Sequence, residues 1–144
     1  MRNGRERLIF HGAIVLFIGL LCGVPAAAES EGAFQGWRAA HIGLITNGIW
    51  LLAMSTVLSA LVLERREAAG LLWSLLAMGY GLTTGLLIGA VLGLRAIGPS
   101  AAPAAMVGFV ANAIGVLGAL LAVLLTIQGA HAGSKKASAP DRLR

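Results

Sequence analysis

The chain alternates long apolar runs with short polar ones, and the runs have the length of membrane helices rather than of core helices. Apolar stretches over 8–28, 39–63, 68–94 and 106–127 are each about the 20 residues that a hydrocarbon core requires. Between them lie a polar connection with Glu29, Glu31, Gln35 and Trp37, a charged turn Glu64-Arg65-Arg66-Glu67, and a loop marked by Gly98-Pro99 and Pro103. The pattern predicts an all-α fold, an integral membrane four-helix bundle, with one domain over 1–130 and a basic tail over 131–144. A disordered, small and polar stretch is expected from Gln128 onward.

The first run admits a second reading. Arg2, Arg5 and Arg7 precede it and Val24-Pro25-Ala26-Ala27-Ala28-Glu29 closes it, as a secretory signal and its cleavage site would. Its length and its internal His11 favour a span.

Composition sharpens this picture in one respect. Of the 144 residues, 58% are hydrophobic and 12% charged, and the mean hydropathy is +0.85. The soluble parts are too short to bury a core of their own. The net charge of +5 is not a nucleic-acid footprint, because the cations stand at span ends without interleaved aromatics. They set orientation instead. Arg2, Arg5, Arg7, Arg65, Arg66, Lys135, Lys136, Arg142 and Arg144 fall on one side and Arg38 and Arg95 on the other, which predicts both termini cytoplasmic in a bacterial-type inner membrane. The one cysteine, Cys22, allows no internal disulfide and reads as a small apolar residue.

Glycines recur every four residues at Gly81, Gly85, Gly89 and Gly93, and again at Gly19 and Gly23. Such stripes let helices approach closely, within a subunit or between subunits.

The candidate chemistry lies where polar groups interrupt carbon. Residues 36–48 open the second span and carry His41, Thr46 and Asn47, and lipid offers such groups no partner. Counting about 1.5 Å per residue from the predicted span ends puts Asn47 roughly 12 Å from the outer boundary and Asn112 roughly 9 Å. Tyr80, Thr83 and Thr84 come to roughly 18–24 Å from the cytoplasmic boundary, so these groups converge on the outer half. His11 falls near the cytoplasmic end by the same ruler. Thr83 and Thr84 read as bonding to their own helix, Asn112 as interhelical glue, and His131 as tail. His41 and Asn47 differ by six residues and point about 120° apart. A lone imidazole suits a haem iron with one axial position left open, whereas zinc wants three or four ligands that cannot be assembled here.

His11-Gly12 in the first span, the run Gly19 to Gly23, Ala40-His41-Ile42-Gly43 and Asn47-Gly48 together resemble the hydroxylaminobenzene mutases and their relatives, the styrene oxide isomerases. In the latter a Gly-Trp-x-Arg-Ala-His-x-Gly segment precedes Asn-Gly, and Gly36-Trp37-Arg38-Ala39-Ala40-His41 differs by one residue moved across the Arg. The resemblance covers most of the chain from His11 through the fourth span, while its specific part is short. It implies a trimer holding haem b between subunits, with His41 as axial ligand and Asn47 positioning the substrate oxygen. Tyr80, the only tyrosine, stands as a further catalytic candidate. The implied activity is an intramolecular rearrangement of a small aromatic substrate, arylhydroxylamine to aminophenol, with epoxide to aldehyde as the alternative. The aspartate and aromatic-rich run of the styrene oxide isomerases is replaced here by Met78-Gly79-Tyr80-Gly81-Leu82-Thr83-Thr84. A non-enzymatic scaffold or haem-binding subunit is the reading from a different class.

Overall fold

A computed structural model describes residues 2–28, 34–93, 98–99 and 101–137. Four helices form it: α1 (Arg2–Ala28), α2 (Phe34–Val57), α3 (Arg65–Val91) and α4 (Pro103–Ala137), with a 3-10 turn at Leu58–Ala60. No strand occurs among the described residues, and each helix is long and apolar enough to cross a membrane. The expected charges at Glu29, Glu31, Arg95, Arg142 and Arg144 lie outside the described residues.

Backbone contact at glycine builds two tight hairpins. In the first, a Cβ on Gly48 would lie 2.7 Å from the Leu16 amide nitrogen, and one on Gly19 would lie 2.8 Å from that of Ile45. In the second, a Cβ on Gly81 would meet the Gly115 nitrogen at 2.6 Å, and one on Gly118 the Ser74 carbonyl oxygen at 2.7 Å. The stripe on α3 therefore serves packing inside the subunit: Gly81 and Gly85 receive α4. Gly93 does not belong to it. Its φ of 64° ends the helix, with its amide donating to Ala90 O, a left-handed stop that a Cβ would strain.

The hairpins meet along α2 and α3. Leu8 and Val15 of α1, Leu44 and Leu51 of α2, and Leu71 and Leu75 of α3 are fully buried there. α4 lies outside this core, packed chiefly on α3, and turns Leu117, Leu124 and Ile127 outward, each at least 60% exposed. Against lipid, such a face carries no penalty.

Three boundaries correct the hydropathy reading. Helix α2 stops at Val57, six residues short of the expected end. The chain stays apolar through Leu63, so composition gives no sign of the stop. Residues 61–63 extend and dock on α4 instead, with Val62 N donating to Gly129 O at 3.2 Å and Leu61 and Leu63 against Gly129. The charged turn is largely helix: α3 begins at Arg65, and Glu67 Oε2 accepts from Glu64 N at 2.8 Å, satisfying an amide outside the first turn. Finally, 128–137 is helical rather than disordered. Gln128 donates to Glu67 and Gly129 accepts from Val62, which ties this end of α4 to the turn.

Gly4 packs near Leu58, and Gly129 and Gly133 near 60–63, so the α1 start, the α2–α3 turn and the α4 end share one end of the bundle. Arg5, Arg7, Arg65, Arg66 and Lys135 gather there. If that end is cytoplasmic, as the basic bias implies, a reporter active only in the periplasm should be silent when fused after Arg144. An active fusion would invert the topology.

Candidate functional site

His41 lies on α2 facing α1, half-buried beside the fully buried Ala40 and Leu44. Its Nδ1 is 2.8 Å from Gly19 O. A carbonyl only accepts, so Nδ1 carries a proton, and Nε2 is the ring nitrogen left for another partner. No partner for Nε2 occurs among the described residues. Gly23 makes the berth: a Cβ there would stand 2.9 Å from the ring's Cε1 and Nδ1. The Gly19/Gly23 pair thus has a local purpose beyond helix packing, one residue lending its carbonyl and the other its missing side chain. Sequence reasoning saw only the stripe. The missed signal is that two glycines one turn apart face a histidine on the next helix.

Asn47 points away, toward α3. It is 6% exposed, its Nδ2 donates to Gly79 O at 3.2 Å, and its Oδ1 is buried without a hydrogen-bond partner. Reversing the amide would set two oxygens face to face, so this assignment is the consistent one. Thr83 Oγ1 donates to the same Gly79 O at 2.6 Å, in agreement with its expected bond to its own helix. A buried acceptor left empty is costly and calls for a donor.

Within one subunit the structure does not gather His41, Asn47 and Tyr80 into one pocket. Tyr80 sits on the α1–α3 side, 39% exposed, its hydroxyl 2.6 Å from His11 Nδ1 and the two rings edge to face. His11 is therefore level with Tyr80, which the sequence ruler sets deeper. Helix α1 begins at Arg2 rather than residue 8, which places His11 about 14 Å along the helix. Among the other candidates, Asn112 packs its Cβ against Gly85, Thr84 and His131 are exposed, and Cys22 is buried at 4% exposure in the core. His131 is part of α4 and not of a free tail.

Among the described residues no three His, Cys, Asp or Glu side chains group as metal ligands. Within a subunit, a metal at this site would rest on His41 alone among the described residues. The ring suits that task, since a ligating imidazole commonly donates its second N–H to a carbonyl that fixes its tautomer and orientation. Among the described residues, the free ring nitrogen of His41, Nε2, could hold a haem iron.

Fold and site define the class: a multi-pass helical membrane protein with a single oriented imidazole between its first two helices. A family model described as styrene oxide isomerase matches residues 4–131, and the chain belongs to that family. Membership implies an isomerase. Comparisons with curated proteins and with solved structures gave no match.

Proposed function

We propose that the protein rearranges an arylhydroxylamine to an aminophenol inside the membrane, with His41 holding haem b through Nε2. Bound there, haem supplies a ferric Lewis acid that polarises the substrate N–O bond. The observation that carries the choice of ligand is the Nδ1 bond to Gly19 O with Nε2 left bare. The choice of substrate rests on Asn47. One Nδ2 hydrogen goes to Gly79 O and the second remains able to donate, while the buried Oδ1 is left to accept. A hydroxylamine's N–H or O–H would satisfy that Oδ1, which an epoxide oxygen would not. In the balanced reaction the N–O bond breaks, a ring C–O bond forms, and a ring proton moves to nitrogen. Apolar helix faces exclude water from the reacting pair. His41 faces α1 and Asn47 faces α3 within the subunit; by resemblance the protein would work as a homo-oligomer, a trimer, in the bacterial inner membrane.

Epoxide to aldehyde isomerisation is the second reading, favoured by the description of the family model. Assaying purified protein with phenylhydroxylamine and with styrene oxide separates the two. Turnover of the epoxide alone would overturn the first reading, and turnover of neither would remove both. An Asn47→Leu variant, close in volume, should stay folded, since interhelical hydrogen bonds in membranes contribute only about 0.6–2 kcal/mol. It should lose at least about tenfold in kcat/KM toward the hydroxylamine, as roughly 1.4 kcal/mol of lost positioning requires. Unchanged kinetics would leave Asn47 as interhelical glue.

The berth is tested at Gly23. Gly23→Val places carbon where the imidazole lies and should displace the ring while leaving the helical circular dichroism unchanged. Haem retention after detergent purification is the readout, and full retention would mean that the ring does not need this space.

A further inference from the structure

At the basic end of the bundle α1 and α3 stand apart. A cavity of about 410 Å³ opens between Gly4 on α1, Leu58 and Leu63 on the turn, and Ala69 and Leu72 on α3, with Arg65 its one charged lining residue. Small residues keep it open, because Gly4 and Ala69 stand where larger side chains would fill it. Higher up the groove is closed. His11 follows Gly4 by seven residues and Tyr80 follows Ala69 by eleven, each pair sharing a helix face, and the His11–Tyr80 bond joins the two helices there. The closure stands about 10 Å above Gly4 on α1. The result is an apolar slot of limited depth with a guanidinium at its mouth, at the level of a membrane boundary.

We propose that this groove binds a phospholipid with an anionic headgroup, its acyl chain in the slot and its phosphate on Arg65. Guanidinium meets phosphate oxygens two at a time, and basic pockets between membrane helices take anionic lipid headgroups. The surrounding charge agrees. Arg5, Arg7 and Arg66 are exposed at the same end, together with Glu6 and Glu64, while Glu67 is engaged by Gln128 and by the Glu64 amide. With Arg65, four arginines stand against three glutamates there. This site shares no residue with His41 or Asn47 and stands or falls apart from the isomerase reading.

The test is native mass spectrometry of the delipidated full-length protein titrated with phosphatidylglycerol and with phosphatidylcholine of the same acyl chains. Wild-type protein is expected to retain one phosphatidylglycerol per subunit in clear preference to phosphatidylcholine. Arg65→Gln should abolish the preference, and Ala69→Trp, which fills the slot, should abolish retention of both lipids. Equal binding of the two lipids by wild type overturns the proposal, as does undiminished preference in Arg65→Gln. Should Ala69→Trp fail to fold, Arg65→Gln decides alone, since Arg65 is exposed in the first turn of α3 and a cation there opposes the helix dipole rather than supporting it.

Discussion

A His41→Ala variant is expected to reach the membrane and fold, yet to purify without the visible Soret absorption of haem and to lose activity by about a hundredfold or more. The fold should survive because the ring is half-buried and makes one hydrogen bond, to Gly19 O, of the kind that contributes about 1 kcal/mol. The function should not. No other imidazole among the described residues lies at this place, for His11 pairs with Tyr80 on the α1–α3 side and His131 sits near the far end of α4. Loss of a metal-orienting contact alone costs 10–100-fold, and loss of the ligand itself costs more. His11→Ala supplies the contrast and should leave the spectrum unchanged. A Soret band of full intensity in His41→Ala would remove His41 as the ligand. A band absent from wild type even after haem is added would remove the haem mechanism and return the chain to a scaffold role.

What made His41 and Asn47 visible in the sequence is the cost of polar groups in lipid, which is a property of composition and position alone. Their opposed directions on α2 were visible too, since six residues fix the angle. Other features depend on neighbours in space. The stop of α2 at Val57 left no trace, because Leu61, Val62 and Leu63 are as apolar as the helix before them and leave it only to pack on Gly129. The His11–Tyr80 bond was hidden because a ruler laid along each span separately sets His11 near one boundary and Tyr80 roughly 18 Å from it, and takes no account of how α1 passes α3. Helix α1 itself starts at Arg2, within the charged segment. Gly23 read as packing because a periodic stripe cannot say which glycine faces a backbone and which faces a ring.

Gly81→Leu should be the most damaging change in the bundle. A single added Cβ at this position already lies 2.6 Å from the Gly115 nitrogen and 2.7 Å from Ala111 O, and these are backbone atoms that no rotamer change can move. The crowding is mutual, since a Cβ on Gly115 would stand 2.6 Å from Leu82 N. Relief requires that α3 and α4 separate along their length, and α4 has little else to hold it beyond Gln128 on Glu67 and Gly129 beneath Val62. Without a hydrophobic drive between helices in lipid, close packing is the main term that is lost. Overpacking costs about 1–3 kcal/mol where side chains can yield, so a backbone collision should exceed about 3 kcal/mol and lower the melting temperature in detergent by roughly 10 °C. Gly98→Ala, with nothing within 4 Å of the new carbon, should be neutral. Gly93→Ala should fall between them at about 1 kcal/mol, from the φ of 64° and not from contact. If Gly81→Leu melts with wild type, the α3–α4 interface is not set by glycine. The hairpin would then be held by its loop and its basic end.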